Sequence, residues 1–148
     1  MEGLKKILLV EDDPNDVELT LTALEEYNLA NETAVVSDGA EALDYLYNKG
    51  EYSTRPKVNP IVVLLDLKLP KINGIQVLEK IKSDKQLKTI PVCVLTSSKE
   101  SNDLKECYKL GVNAYVVKPV KFTDFIDEVK SLGLFWAIIN EPPITSPT

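Results

Sequence analysis

The chain has 148 residues, 44% of them apolar and 27% charged, which suits one globular domain with a sizeable core. Its formal net charge of -6 disfavours general affinity for nucleic acid or anionic membrane, and no apolar stretch reaches the roughly 20 residues that span a bilayer. Histidine is absent, which removes Ser-His and Cys-His catalytic pairs, most zinc sites and any phosphohistidine of the chain's own.

The opening residues lack the basic region and apolar core of a signal peptide, so a cytoplasmic setting is expected. The first apolar run, Lys6 to Val10, reads as a strand. Asp13 then serves as an N-cap and Pro14 as the first helical residue of a helix whose stripe is Val17, Leu21 and Leu24. A second run, Thr33 to Val36, precedes Asp38-Gly39 and a helix that turns Ala40, Leu43 and Leu46 inward and ends near Gly50. Gly50 to Pro60 is polar and longer than the usual connection of about 4–6 residues, and reads as a solvated surface loop.

The third run, Ile61 to Leu65, is apolar throughout, as a central strand buried on both faces must be. Val77, Leu78 and Ile81 mark the helix after Gly74. Pro91 to Leu95 is the fourth run; Ser98 is placed to cap a helix with Leu104, Cys107 and Tyr108 on its inner face, stopped by Gly111. The fifth run, Ala114 to Val117, leads to a last helix with Phe122, Phe125, Ile126 and Val129. Cys93 and Cys107, with no Cys-x-x-Cys spacing, read as buried free thiols. The pattern predicts an α/β fold: a doubly wound, five-stranded parallel sheet with five flanking helices. Residues 1–140 form the domain, and 141–148, with three prolines, a flexible tail.

Charge collects where these strands end. Glu11, Asp12 and Asp13 follow the first, Asp66 the third and Lys118 the fifth, while Thr96 ends the fourth. In an open doubly wound sheet the ligand crevice lies outside the carboxyl ends of the strands, at the point where strand order reverses. Setting the first and third runs side by side there gathers Glu11, Asp12 and Asp66. Clustered carboxylates without His or Cys specify a hard cation, and magnesium tolerates water in its remaining positions. Asp66 is the candidate nucleophile, with Thr96 and Lys118 as donors for phosphoryl oxygens.

Together Val10-Glu11-Asp12-Asp13, Asp66-x-x-x-Pro70-x-x-x-Gly74, Leu95-Thr96-Ser97 and Tyr115-x-x-Lys118-Pro119 give a chain that resembles the receiver domains of two-component response regulators, over roughly Lys5 to Asn140. The resemblance implies the flavodoxin-like strand order 2-1-3-4-5 and a phosphoryl group accepted on Asp66 from a histidine kinase. It implies Mg2+ held directly by Asp12 and Asp66, with Glu11 assisting and the backbone carbonyl of Lys68 as a further ligand. Thr96 and Lys118 match the residues that contact the phosphoryl group, and Tyr115 matches the aromatic switch. Ser97 stands where a smaller Ala is common, which bears on phosphoryl lifetime. The Gly50–Pro60 insertion and Leu134-Phe135-Trp136 look like the single-domain regulators of bacterial and cyanobacterial phytochromes, so a phytochrome is the candidate kinase.

With no output domain after the receiver, the signal is expected to leave through a protein contact with a downstream partner the sequence does not name. The terminal segment is unusually apolar: Leu132, Leu134, Phe135, Trp136, Ile138 and Ile139 exceed one helical stripe, which predicts a homodimer or partner surface built on Phe135 and Trp136. Such a protein catalyses its own modification and dephosphorylation and is not an enzyme in the turnover sense. Three rivals are weaker. A dehalogenase-like phosphohydrolase needs a second aspartate where Lys68 stands, and a flavodoxin-like electron carrier needs a phosphate loop where Glu11-Asp12-Asp13-Pro14 would repel one. A phosphorylation-independent, receiver-like binding module would have lost part of the acidic pair, Asp66 or Lys118, and none is lost.

Overall fold

Short apolar runs, rich in β-branched residues, become the strands β1 (Ile7–Val10), β2 (Thr33–Val36), β3 (Val62–Asp66), β4 (Val92–Thr96) and β5 (Ala114–Val117). In the computed structural model, which describes residues 5–97 and 102–139, all neighbours are parallel and the order is 2-1-3-4-5. β3 and β4 each start one residue later than the apolar runs suggest. Asp66 and Thr96 are therefore the last residues of their strands, and Pro91, which has no N–H for a ladder, stays outside.

The helices are α1 (Pro14–Leu24), α2 (Gly39–Tyr47), α3 (Gly74–Ser83), α4 (Asn102–Lys109), α5 (Phe122–Ser131) and a short α6 (Phe135–Ile139). Residues of α2, α3 and α4 pack with Leu8, Val10, Val63 and Leu65 on one side of the sheet. Leu24 of α1, Phe125, Ile126 and Val129 of α5 and Ile138 of α6 pack with Ile7, Leu9, Leu64 and Val116 on the other. Alternate strand residues thus serve opposite faces, and every residue of β1, β3 and β4 is buried.

Helix starts follow the sequence closely. Asp13 accepts from the N–H of Asn15 at 2.8 Å, Asp38 from Glu41 at 2.7 Å, and Asn73 with Gln76 forms a reciprocal capping box. The Ser98 cap and the 141–148 tail lie outside the described residues. Stripe phases differ in three helices; in α1 Thr20 and Leu24 are buried, with Val17 and Leu21 half-buried. In α2 the buried residues are Gly39, Ala42, Tyr45 and Leu46, with Ala40 and Leu43 half-buried, and in α4 Tyr108 is 51% exposed.

The α2 shift has its cause in the Gly50–Pro60 segment, which folds back onto the helix. The Arg55 guanidinium lies 3.9 Å from the Tyr45 ring centroid and donates to the Tyr45 carbonyl. Asn48 Nδ2 donates to the Arg55 carbonyl at 2.7 Å, and the Tyr52 hydroxyl donates to Glu41. The segment is exposed over most of its length, as expected, but tethered.

The apolar C-terminal segment is not one helix. Gly133, at φ +75°, ends α5; its N–H reaches the Lys130 carbonyl and that of Leu134 reaches Val129, a Schellman turn. The chain reverses into α6 and buries Ile138 completely, with Lys6 Nζ donating to the Ile138 carbonyl at 3.2 Å. Leu132, Leu134 and Phe135 are half-buried, and the side chains of Trp136 and Ile139 lie outside the described residues. Both cysteines are buried and unpaired; burial pushes the Cys93 thiol up to about 12 and the Cys107 thiol up to about 11.

Two glycines let loops approach the crevice end. A Cβ on Gly74 would stand 2.3 Å from the Asp66 carbonyl oxygen, and one on Gly39 would stand 1.8 Å from that of Ile72. The obstacle at Gly39 is backbone, so no rotamer change relieves it. Gly39→Ala is expected to cost about 3 kcal/mol of stability in urea unfolding, and Gly50→Ala, strained chiefly by its left-handed backbone at φ +57°, about 1–2 kcal/mol.

Candidate functional site

Register builds the site. Val10 pairs with Leu65, so Glu11, one step on, comes level with Asp66, and Asp66 itself pairs with Leu95 beside Thr96. Across the last pair of strands the Lys118 N–H donates to the Thr96 carbonyl at 2.7 Å, which fixes where the lysine leaves the sheet. The Lys118–Pro119 peptide bond is cis.

The Lys118 ammonium sits among carboxylates. It is 2.9 Å from Asp16 Oδ2, 3.2 Å from Glu11 Oε1 and 3.2 Å from Asp66 Oδ2. Asp66 is buried; its Oδ1 accepts from the Lys68 N–H at 3.2 Å and its Oδ2 from Lys118. Glu11 is equally buried, with Oε2 accepting from the Asp13 N–H at 3.2 Å. Its Oε1 meets Lys118 as an ion pair without hydrogen-bond geometry, and is a buried oxygen lacking a hydrogen-bond partner. A buried oxygen in that condition is costly unless a cation supplies the contact.

The energetics point the same way. Burial, and then Asp66 alongside, pushes the Glu11 carboxyl up to about 7. Burial alone would depress the Lys118 ammonium, but Asp16, Asp66 and Glu11 outweigh it and hold the group above its ordinary range. Glu11, Asp12 and Asp66 each present an oxygen within 4.8 Å of the others, with Asp12 exposed at the rim. Hard oxygen donors around an orphaned buried oxygen fit a divalent ion such as magnesium, which keeps several waters.

Beside Asp66 opens a cavity of about 240 Å³, lined by Leu67, Lys68, Thr96, Ser97, Asp103 and Lys118. The space admits a tetrahedral oxyanion, with Lys118 and Thr96 among its lining residues. Glu11, Asp12, Asp66, Thr96 and Lys118 therefore meet in one crevice, as their strand-end positions require. Asp13 is spent on the α1 cap. Tyr115 stands apart, half-buried on β5 and edge-on to Tyr108 at 6.4 Å. The sequence reading did not include Asp16: a carboxylate in a helix's first turn reads as a complement to the helix dipole.

The sequence pattern of the response regulator receiver domain matches residues 7–130. Response regulator Rcp1 of Synechocystis sp. is 39% identical over 132 residues, 89% of this chain and 88% of Rcp1. The Mn2+-bound form of Rcp1 superposes with a TM-score of 0.72 over 97% of this chain and 99% of its own, at 38% identity. The bacteriophytochrome response regulator RtBRR gives 0.84 at 58% identity, over 97% of this chain and 87% of its own. The phosphorylated cyanobacterial phytochrome response regulator RcpA gives 0.74 at 40%, over 95% and 99%. Among the described residues no helix is long and apolar enough to cross a membrane.

Magnesium at about ten times its Kd is expected to add about 1.4 kcal/mol to unfolding stability, and Asp12→Asn to remove most of that gain. The raised Glu11 value sets the pH dependence. The folded carboxyl keeps a proton that the unfolded one loses above about 4.5, so the metal-free fold weakens as pH rises from there to about 7. The magnesium gain is correspondingly smaller below about 7 and full above it. A gain that is flat with pH and unchanged in Asp12→Asn would place the ion elsewhere.

Proposed function

Because the chain belongs to the response regulator receiver domain family, we propose that it accepts a phosphoryl group on Asp66 and signals through an altered protein surface. The observation that carries this reading is the buried Asp66 carboxylate, 3.2 Å from Lys118 Nζ and beside a cavity with room for a phosphoryl group. The donor is a histidine kinase, and the similarity to RtBRR and RcpA favours a phytochrome of that class.

In the transfer step an Asp66 oxygen forms the bond to phosphorus as the P–N bond of the kinase's phosphohistidine breaks, the electron pair leaving with the imidazole nitrogen, which takes up a proton. Asp66 and Asp12 would hold magnesium, with Glu11 supporting it and the Lys68 carbonyl as a further ligand. When bound, the ion neutralises the carboxylates and the incoming phosphoryl oxygens. Lys118 offers its ammonium to one phosphoryl oxygen and Thr96 its hydroxyl to another, so the charge formed in transfer meets donors already in position. Release of the phosphoryl group is attack by water at the same phosphorus as the Asp66 O–P bond breaks, the electron pair returning to the carboxylate and the water's proton leaving to solvent, with the exposed Ser97 lining the same cavity. Each cycle modifies the protein itself, so it acts as a switch and not as a turnover enzyme.

Output begins at Thr96. Drawing its hydroxyl toward the phosphoryl group vacates space on β4, into which Tyr115 turns from its contact with Tyr108. That changes the surface shared by α4 and α5. Phe135 and Trp136 form the surface for a homodimer or a downstream protein.

Incubation with acetyl phosphate and magnesium is expected to add the mass of one phosphoryl group to wild type and none to Asp66→Asn. An adduct that survives Asp66→Asn, or forms as well in EDTA, contradicts the reading. Light scattering of the adduct is expected to show a larger dimer fraction than the unmodified protein; a monomer in both states contradicts self-association.

A further inference from the structure

The transfer mechanism gives no task to Asp16, yet this residue makes the shortest contact to Lys118: 2.9 Å, against 3.2 Å for Glu11 and 3.2 Å for Asp66. A first-turn carboxylate complements the α1 dipole wherever it points. That role does not account for a reach to the end of β5. Asp16 is also held in place: Pro14 begins the helix, and Asp13 Oδ1 accepts from the Asn15 and Asp16 N–H groups at 2.8 and 3.4 Å.

The three partners of Lys118 differ in their access to water. The Glu11 and Asp66 side chains are 0% and 7% exposed, and Asp16 is 29% exposed. The ammonium is paired with all three carboxylates, with hydrogen-bond geometry to Asp66 and without it to Glu11. A phosphoryl oxygen that approaches the ammonium competes with these carboxylates for its charge. Displacing Glu11 strands a buried anion, a large cost, and Asp66 stays in the site as the group that takes the phosphorus. Displacing Asp16 returns a half-open carboxylate to water, a small one.

We infer that Asp16 is a positioning residue that holds the Lys118 ammonium at the crevice and yields it to the phosphoryl oxygens, acting as a brake on phosphoryl transfer. The inference rests on the reading of Asp66 as phosphoacceptor. Asp16 lies outside the group of carboxylates gathered within 4.8 Å, so the brake is separable from metal binding. It also ties α1 to the reaction, because the link from α1 to β5 opens when the phosphoryl group arrives.

The test follows adduct formation on the full chain with saturating acetyl phosphate and magnesium. Here an Asp66 oxygen bonds to phosphorus as the P–O bond to acetate breaks, and acetate leaves with the electron pair. Asp16→Asn keeps an oxygen near Lys118 and removes the charge, so its maximal labelling rate is expected to rise about threefold to fivefold, the scale of one partly exposed ion pair. Its magnesium affinity, measured by calorimetric titration, is expected to stay within about twofold of wild type. Asp16→Glu retains the charge and is expected to restore the slower rate. A rate for Asp16→Asn at or below wild type, with magnesium affinity unchanged, overturns the inference. So does a magnesium affinity that falls as it does in Asp12→Asn, because Asp16 would then belong to the metal cluster. If wild type forms no adduct, the phosphoacceptor reading fails first and the brake falls with it.

Discussion

A single ammonium holds together a sheet end that would otherwise repel itself. Lys118 Nζ contacts carboxylates from the end of β1, the start of α1 and the end of β3, each within 3.2 Å. Two of those carboxylates are buried, and buried like charges this close do not both ionise without a counter-charge. One lysine is not enough, as the Glu11 value near 7 and its unsatisfied Oε1 both record. The remaining deficit of positive charge is one that a divalent ion would meet.

The fold serves this arrangement in particular ways. Parallel register brings Glu11 level with Asp66, and the Lys118 N–H bond to the Thr96 carbonyl anchors the lysine at the required place. Gly74 lets α3 begin directly against the Asp66 carbonyl, and Gly39 lets α2 begin against Ile72. The loop between them, which contains Lys68, is therefore clamped from two sides by backbone contacts. The Gly50–Pro60 segment, folded onto Tyr45 and tied to Glu41, braces the start of α2.

Much of this is written in local sequence. Apolar runs of four or five residues mark the strands, and the groups that end them mark the crevice, because a parallel sheet puts all its carboxyl ends together. Asp13 was legible as a cap from Pro14 alone. Long-range facts were less accessible. Nothing near Asp16 announces a lysine about one hundred residues later, and only the fold makes them neighbours. The burial of Tyr45 depends on Arg55 crossing its ring, and the exposure of Tyr108 on what covers α4, neither of which a helical stripe encodes. The apolar terminal segment could not fit one helical face, and the answer was a turn at Gly133 that sends Ile138 back into the core.

The central claim is that Asp66, among all the carboxylates crowded at this sheet end, is the one that receives the phosphoryl group. Borohydride reduction of the adduct, followed by peptide mass mapping, tests it most directly, because an acyl phosphate is reduced to an alcohol where a free carboxylate is not. The account predicts a reduced side chain at Asp66 and at no other acidic residue. Reduction at Glu11, Asp12 or Asp16, with Asp66 intact, would contradict it.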